Sequence, residues 1–235
     1  MQEDNMAEFV PRKISVLIPV YNEKKSLLEL IKRVENINFE LEKEIILIDD
    51  FSTDGTKDLY KELPYKVIYH EKNMGKGAAL RDGIKEATGD IIIIQDADLE
   101  YNPADYVPLV KLIKVDKADV VYGSRFLGNQ NKGKFLFLSF IANKTLTLIT
   151  QILYRTTLTD METCYKAFKS EIIKSIEIKS NRFDFEPEIT AKILRKKVRF
   201  AELPITYNAR RVNEGKKINW KDGLQAIITL IKYRY

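Results

Sequence analysis

The stretch DIIIIQDADLE, residues 90–100, decides the fold class of this chain. Its four consecutive isoleucines show no alternation of polar and apolar residues, which is typical of a short strand buried on both faces of a parallel sheet. The acidic residues Asp96, Asp98 and Glu100 follow this strand. Because alternate residues of an extended segment point the same way, we expect these carboxylates to converge at the carboxyl end of the strand.

Outward from this strand, short apolar runs alternate with stretches whose apolar residues recur at helical spacing. This alternation predicts an α/β fold with a mostly parallel central sheet and helices on both faces. Ligands of such sheets bind outside the carboxyl ends of the strands, where most polar motifs of this sequence lie. The other predicted strands are ISVLIP from Ile14, EIILID from Glu44, YKVIY from Tyr65, ADVVYG from Ala118, CYKAFK from Cys164 and a pair between Arg199 and Tyr207. The predicted helices are KSLLELIKRV, TKDLYKEL, GAALRDGIKEA, PADYVPLVKLI, a helix from Glu186 to Lys196 and a C-terminal helix from Trp220.

The acidic residues of the DADLE segment suggest a metal site. Carboxylate oxygens are hard ligands that suit Mg²⁺ or Mn²⁺, and magnesium commonly combines one or two carboxylates with substrate phosphates. Asp96, Asp98 and Glu100 are therefore candidate ligands of a divalent metal. A solvated acidic turn is the alternative explanation, because many loops carry two acidic residues.

Three further clusters lie at predicted strand ends or helix starts, and each is weak by itself. In IPVYNE, Tyr21 offers a stacking face and Glu23 offers hydrogen bonds, although Asn and Glu often only cap a helix there. In LIDDFSTDGT, Asp50 ends a strand, but the following Asp-Gly is a common turn. In NMGKGAA, glycines open a helix beside Lys76, which can face an anion. This last stretch lacks the patterns of a Walker loop and of a dinucleotide fingerprint.

Composition excludes several classes of function. The 235 residues are 45% hydrophobic and 31% charged with a net charge of +5, which is typical of a globular protein. The single Cys164 excludes an intramolecular disulfide, and a single histidine, His70, excludes a zinc cluster of Cys and His. Acidic strand ends argue against a nucleic-acid surface. We interpret residues 1–13 as a disordered lead without the apolar run of a signal peptide, and residues 14–235 as one domain.

Read together, five motifs stand in the order and at the spacing found in glycosyltransferase family 2. The sequence resembles that family over about residues 14–222, and within it the dolichyl- or polyprenyl-phosphate sugar synthases. The resemblance implies the GT-A architecture, in which a Rossmann-like nucleotide-sugar half (14–125) merges with an acceptor half and a C-terminal helix (126–235). The motifs are PVYNE (19–23), DDxSxDGT (49–56), NxGxGxA (73–79), DAD (96–98) and GSR (123–125).

The resemblance also assigns roles to individual residues. It implies that Asp98, Arg125 and Asp160 act in catalysis, with Asp160 as general base if the acceptor is a hydroxyl. Glu162 could take the place of Asp160. An ionised lipid phosphate needs no strong base, so Asp160 would then only position the acceptor. The implied donor-binding residues are Pro19, Tyr21, Glu23, Ile48, Asp50, Lys76, Asp96, Ala97, Arg125, Arg210 and Lys216, and the implied metal ligands are Asp96, Asp98 and Glu100.

Two other groups of residues keep alternatives open. Arg210 and Lys216 resemble a flexible loop of the subgroup that grips phosphates, whereas a solvated basic face is the alternative. Glu186 and Glu188 are expected to orient helices or to bind loop arginines rather than to do chemistry.

The expected reaction is an inverting, metal-dependent transfer of a hexose from a donor of the GDP-mannose or UDP-glucose type to a polyprenyl phosphate. Three alternatives remain: a soluble or glycan hydroxyl acceptor, a sugar nucleotidyltransferase, and a non-catalytic nucleotide-binding protein. An organic-phase product would separate a lipid acceptor from a soluble one.

The apolar stretch 134–154 raises the question of a membrane. Ser139, Asn143, Thr147 and Gln151 form a polar stripe along it, and Lys144 lies in its middle, so we do not expect it to span a bilayer. Core burial, a homodimer interface and contact with a polyprenyl tail remain open. The implied location is the cytoplasm, with peripheral attachment to the cytoplasmic face of a membrane.

Overall fold

A computed structural model describes residues 9–128, 137–209 and 220–234, which are organised around a seven-stranded sheet. The strands are β1 (Lys13–Val20), β2 (Glu42–Asp49), β3 (Lys66–Tyr69), β4 (Ile91–Ile94), β5 (Val120–Ser124), β6 (Lys166–Lys169) and β7 (Phe200–Pro204). The helices are α1 (Leu27–Glu35), α2 (Thr56–Leu59), α3 (Lys76–Glu86), α4 (Tyr106–Lys114), α5 (Phe137–Tyr154), α6 (Ser170–Lys174), α7 (Phe185–Arg195) and α8 (Trp220–Lys232).

The sheet has the order β3-β2-β1-β4-β6-β5-β7. The pairs β1–β2, β1–β4, β2–β3 and β5–β7 are parallel, whereas β6 is antiparallel to both β4 and β5. All four isoleucines of β4 are fully buried, as their lack of alternation predicts. The predicted α/β fold with a mostly parallel sheet is therefore confirmed, and strands from both predicted halves belong to the same sheet.

Helices α1 and α3 begin at the edge of the sheet that is formed by the carboxyl ends of the parallel strands. On α1, Leu27, Leu30, Ile31 and Val34 are buried at the i, i+3, i+4, i+7 spacing of one helix face. On α3, a Cβ atom at Gly83 would lie 2.8 Å from Ile48 Cδ1, so glycine allows this helix to approach the sheet closely.

Two predicted elements differ from the structure. The predicted helix TKDLYKEL is the four-residue α2 followed by a short 3-10 turn, Tyr60–Glu62. The predicted strand pair near the C-terminus is a single strand, β7, after which Tyr207 makes an isolated antiparallel bridge to Tyr101. A second 3-10 turn, Pro103–Asp105, precedes α4.

Helix α5 turns polar residues of its stripe towards the protein. Thr147 is buried, and its hydroxyl accepts a hydrogen bond from Met161 N at 3.2 Å. Gln151 Nε2 donates to the Leu158 carbonyl at 2.7 Å. Meanwhile Leu148 and Ile152 are 54% and 69% exposed. The outward face of α5 thus carries exposed aliphatic residues beside Lys144, unlike the polar outer face of an ordinary surface helix. Across the three described segments, no helix combines the length and apolarity needed to cross a membrane.

Candidate active site

The loops that follow β1 and β2 are joined by hydrogen bonds at the carboxyl edge of the sheet. Asn22 N donates to Ser52 Oγ at 3.0 Å, and Thr53 N donates to Asn22 Oδ1 at 2.7 Å. Asn22 has a φ of 56°, a conformation that asparagine tolerates better than most residues. Glu23 N donates to Thr56 Oγ1 at 3.1 Å. These bonds fix the backbone that carries Pro19, Tyr21 and Glu23.

The acid pair at the end of β2 organises these loops and the start of α3. Asp49 is buried and accepts hydrogen bonds from Tyr60 Oη at 2.6 Å and Ser52 N at 2.9 Å. Asp50 accepts from the backbone N–H groups of Met74 and Gly75, both at 2.7 Å. The predicted contact of Asp50 with a nucleotide remains a prediction, and its observed role is to hold the NMG loop.

The start of α3 is covered by the loop at residues 180–182. Ala78 N donates to the carbonyl of Asn181 at 3.0 Å, and a Cβ atom at Gly75 would lie only 2.4 Å from that carbonyl oxygen. Gly75 also has a φ of +96°, so glycine is needed for both space and conformation. Glu188 holds this loop by accepting from Ser180 N at 2.6 Å.

Lys76 points inward from the start of α3 into a buried chain of charges. Its Nζ lies 2.7 Å from Asp96 Oδ1 and 3.2 Å from Glu186 Oε1. The other oxygen of Glu186 contacts Lys166 Nζ. Burial disfavours the charged form of Asp96, but the ion pair with Lys76 outweighs burial and holds the pKa of this carboxyl below its ordinary value. Asp96 is therefore ionised at neutral pH.

The three carboxylates after β4 have separate partners. Asp98 Oδ1 accepts from Glu100 N at 3.2 Å, and Glu100 Oε2 accepts from Tyr207 Oη at 3.0 Å. Among the residues that the structure describes, no group of three His, Cys, Asp or Glu side chains could hold a metal ion. The expected convergence of Asp96, Asp98 and Glu100 is thus not observed in the structure, and the assignment of Glu100 as a third metal ligand remains a prediction.

A divalent metal nevertheless fits the pair Asp96 and Asp98. Both side chains are partly exposed at the end of the central strand β4, and Asp96 already accepts a cation, the Lys76 ammonium. Magnesium is commonly bound by one or two carboxylates together with substrate phosphates, so two protein ligands are sufficient. Their assignment as metal ligands remains a prediction.

Arg125 and Asp160 form a bidentate ion pair behind the end of β5. Arg125 Nε donates to Asp160 Oδ2 and Nη2 donates to Oδ1, both at 2.8 Å, and Arg125 N adds a third bond at 2.9 Å. Burial opposes the charge on Arg125, but Asp160 holds the pKa of the guanidinium above its ordinary value. Both carboxylate oxygens of Asp160 are therefore engaged, and Arg125 already has a counter-ion.

The remaining predicted donor residues are placed as follows. Ile48 is buried near the end of β2, and Ala97 is buried in the segment that follows β4. Arg210 and Lys216 lie outside the described residues.

Sequence reasoning missed Lys166 and underestimated Glu186. Lys166 is fully buried in β6, and its Nζ also contacts the Thr163 carbonyl. A lysine inside the otherwise apolar run CYKAF is the signal that could have revealed it, because lysine is almost never fully buried unless paired. Glu186 was expected to orient helices or to bind loop arginines, and among the described residues it pairs with two lysines. Glu186 is distant in sequence from Lys76 and Lys166, and no motif around it indicated these partners.

Comparison with known proteins places this architecture in a family. Residues 15–177, more than half of the chain, match Glycosyl transferase family 2. The chain is 32% identical over 210 residues to the dolichol-phosphate mannosyltransferase of Pyrococcus furiosus, covering 87% of this chain and 59% of that protein. It is 33% identical over 213 residues to the undecaprenyl-phosphate 4-deoxy-4-formamido-L-arabinose transferase of Salmonella choleraesuis, covering 87% and 62%. The chain thus spans about three fifths of the length of both relatives.

A solved structure shares the fold. The crystal structure of glucosyl-3-phosphoglycerate synthase from Mycobacterium tuberculosis with Mn²⁺, uridine diphosphate and phosphoglyceric acid superposes with a TM-score of 0.73 at 19% identity, covering 95% of this chain and 78% of that one. At this identity the likeness concerns the fold alone, and it confirms the expected GT-A architecture. The match over residues 15–177 shows that this chain belongs to glycosyltransferase family 2.

Proposed function

We propose that this chain transfers a hexosyl group from a nucleotide sugar to a polyprenyl phosphate. The observation that carries the proposal is the position of Asp96 and Asp98 directly after the central strand β4, beside the joined loops of β1 and β2. In open α/β sheets this edge is where nucleotides bind. Two curated relatives are named for a dolichol or undecaprenyl phosphate, which supports a lipid phosphate as acceptor.

The ion pair of Arg125 and Asp160 favours an acceptor that is already ionised. A hydroxyl acceptor needs a base that takes its proton, and Asp160 offers both of its oxygens to Arg125 instead. A phosphate monoester has lost that proton at neutral pH. Its oxygen would attack the anomeric carbon as the bond to the nucleoside diphosphate breaks, and the diphosphate would leave with the bonding electrons. Asp160 would then position Arg125 beside the sugar-phosphate region.

Mg²⁺ or Mn²⁺ bound by Asp96 and Asp98 would neutralise the charge of the departing diphosphate. Lys76, already held between Asp96 and Glu186, would bring a second positive charge to the same place. The Mn²⁺ and uridine diphosphate bound by the mycobacterial synthase support this class of cofactor and donor. We propose that the donor is a GDP- or UDP-linked hexose, and the experiment below distinguishes guanine from uracil as its nucleotide base.

Incubation with labelled sugar donors tests the acceptor class. We expect the label of UDP-glucose or GDP-mannose to pass into an organic extract when a polyprenyl phosphate and Mn²⁺ are present, and to stay in the aqueous phase with EDTA. A polyprenol without phosphate serves as the matched control and should remain unlabelled. Label that appears only in a water-soluble glycan would contradict the proposed acceptor and favour a hydroxyl-acting relative of the same family.

The outward faces of α5 and α8 support peripheral binding to a membrane. The two helices are joined by a hydrogen bond from Tyr154 Oη to the Leu230 carbonyl at 2.7 Å. Aliphatic residues on both are exposed, and exposed lysines accompany them on the same helices, a combination that suits a bilayer with anionic lipids. The exposed aliphatic residues are Ile141, Leu148 and Ile152 on α5 and Leu224, Ile228 and Ile231 on α8, and the lysines are Lys144, Lys221 and Lys232.

Vesicle flotation tests this surface. We expect the wild-type chain to float with vesicles of phosphatidylcholine and phosphatidylglycerol, and the variant Ile152→Glu/Ile228→Glu to lose most of this binding, because two charges would enter the apolar interface. Leu28→Glu on α1 changes a similarly exposed residue, at 46%, and should float normally. If the double variant still floats, and if the wild-type chain is a dimer whereas the double variant is a monomer, these faces form a homodimer interface instead.

A further inference from the structure

Polar atoms without hydrogen-bond partners collect in one place beside Asp96. In the described segments, four side-chain polar atoms are buried without such a partner: His70 Nε2, Glu162 Oε1, Thr163 Oγ1 and Glu186 Oε1. His70 Nε2 lies 3.3 Å from an oxygen of Asp82, which explains the first. Glu186 Oε1 likewise lies 3.2 Å from Lys76 Nζ, which explains the second. The other two atoms belong to the adjacent residues Glu162 and Thr163, although buried polar atoms are normally satisfied and each exception calls for an explanation.

Short contacts lead from Thr163, which follows Glu162 in sequence, to the candidate active site. Lys166 Nζ contacts both the Thr163 carbonyl and Glu186 Oε2. Glu186 Oε1 has an ion-pair distance of 3.2 Å to Lys76 Nζ, which in turn lies 2.7 Å from Asp96 Oδ1. We call Glu162, Thr163, Lys166 and Glu186 the Glu162 cluster. It is therefore separated from the Asp96 carboxylate by a single side chain, Lys76.

Glu162 has a raised pKa, whereas the other carboxylates near the Glu162 cluster are paired with basic side chains. Burial, and next the negative charge of Glu186, raise the pKa of Glu162 to about 7. At neutral pH Glu162 is therefore partly protonated, and it can donate a hydrogen bond as well as accept one. Three other carboxylates lie nearby, and each has a basic partner: Asp96 pairs with Lys76, Asp160 with Arg125, and Glu186 with Lys76 and Lys166.

These atoms suit the hydroxyl groups of a sugar better than the other parts of the substrates. A phosphate would be repelled by Glu186, and a polyprenyl chain would leave Glu162 Oε1 and Thr163 Oγ1 without partners, which is costly for buried polar atoms. Sugar hydroxyls both donate and accept hydrogen bonds. Resting on the proposed function, we propose that Glu162 and Thr163 bind hydroxyl groups of the transferred hexosyl unit and so select the donor sugar.

Affinities for a nucleotide with and without its sugar test this assignment. The dissociation constants of UDP, UDP-glucose, GDP and GDP-mannose are measured by calorimetry in Mn²⁺ for the wild type, Glu162→Ala, Glu162→Gln and Thr163→Val. We expect Glu162→Ala and Thr163→Val each to weaken the nucleotide sugar by roughly tenfold and the matching nucleoside diphosphate by less than about twofold. Glu162→Gln, which keeps a donor and an acceptor, should retain the wild-type ratio.

The outcomes separate this inference from the proposed function. Equal weakening of nucleotide and nucleotide sugar, or an unchanged ratio in Glu162→Ala, would show that the Glu162 cluster is structural. A wild-type chain that binds no nucleotide at all would overturn the proposed function, and the sugar site with it. Folding of each variant is checked by its melting temperature before affinities are compared.

The pH dependence of stability provides a second readout. The pKa of Glu162 is higher in the folded chain than its ordinary value of 4.5, so the folded state binds more protons between pH 4.5 and about 7, and stability falls across this range as pH rises. The groups that face Glu162 are Glu186 on α7, Lys166 on β6, and Arg125 and Asp160. Glu162→Gln cannot ionise, so its melting temperature relative to wild type should increase from pH 5 to pH 8. A difference that does not change with pH would contradict a partly neutral Glu162.

Discussion

The Asp98→Ala variant is expected to fold normally and to lose the metal-dependent stabilisation that a nucleotide sugar gives the wild-type chain. Asp98 is partly exposed, and the hydrogen bond that it accepts from Glu100 N at 3.2 Å is worth about 1 kcal/mol. A ligand present at about a hundred times its dissociation constant adds roughly 2.7 kcal/mol, which is several degrees for a chain of this size. Thermal unfolding with UDP- and GDP-sugars, with and without Mn²⁺, measures this loss and shows which nucleotide base the chain binds.

Turnover of Asp98→Ala should fall by more than about a hundredfold, because even residues that only support metal ligands cost about 10- to 100-fold when removed. Asp98 is a cleaner target than Asp96, whose removal would also leave the ammonium of Lys76 without its nearest partner. Asp58→Ala is the matched control, since this acid on α2 is 73% exposed and pairs only with a nearby surface lysine in the structure. A variant that keeps full metal-dependent turnover would remove Asp98 from the proposed site.

The arrangement of the motifs after β1, β2 and β4 could be predicted from the sequence because its information is local. The isoleucines of β4 are buried on both faces, and the buried residues of α1 follow the helical period, so both elements could be assigned from single stretches. Because parallel strands end at one edge, the motifs after β1, β2 and β4 had to meet there.

The direction of α5 could not be predicted in the same way. Its polar stripe indicated which residues share a face, but not that Thr147 and Gln151 would find hydrogen-bond partners inside the protein. A threonine that is satisfied by a backbone N–H can be buried at little cost, so the aliphatic face is left outside. Periodicity therefore indicated which residues share a face, while the orientation of the helix depended on contacts with a loop that follows it.

The charged chain beside Asp96 depended on contacts between residues that are distant in sequence. Lys76, Lys166 and Glu186 lie on α3, β6 and α7, and nothing in the local sequence of any of them indicates the others. The ion pair of Arg125 with Asp160 is similar, because 35 positions separate the two residues. The resemblance marked both as functional, yet only the structure joins them.

Loss of the Arg125 guanidinium should destabilise the fold as well as the site. Arg125→Met would leave the fully buried Asp160 without its bidentate partner, and an unpaired buried charge costs about 3–5 kcal/mol. At roughly 2–4 °C for each kcal/mol in a chain of this size, we expect the melting temperature to fall on the order of 10 °C. Arg33→Met is the matched control, because the Arg33–Glu29 pair is exposed and should contribute less than about 0.5 kcal/mol.

The double variant Arg125→Met/Asp160→Asn should recover part of this stability, since no charge is then left buried and unpaired. The double-mutant cycle measures the coupling between the two side chains. The single variant Asp160→Asn distinguishes a positioning role of Asp160 from a role as general base. A positioning residue that holds Arg125 should lose stability and sugar transfer together, with no change in the pH at which transfer is half-maximal. A general base for a hydroxyl acceptor should instead lose the acidic limb of the pH profile, whatever the change in melting temperature. Because both oxygens of Asp160 bind Arg125, we expect the first result, and with it an acceptor that brings its own negative charge.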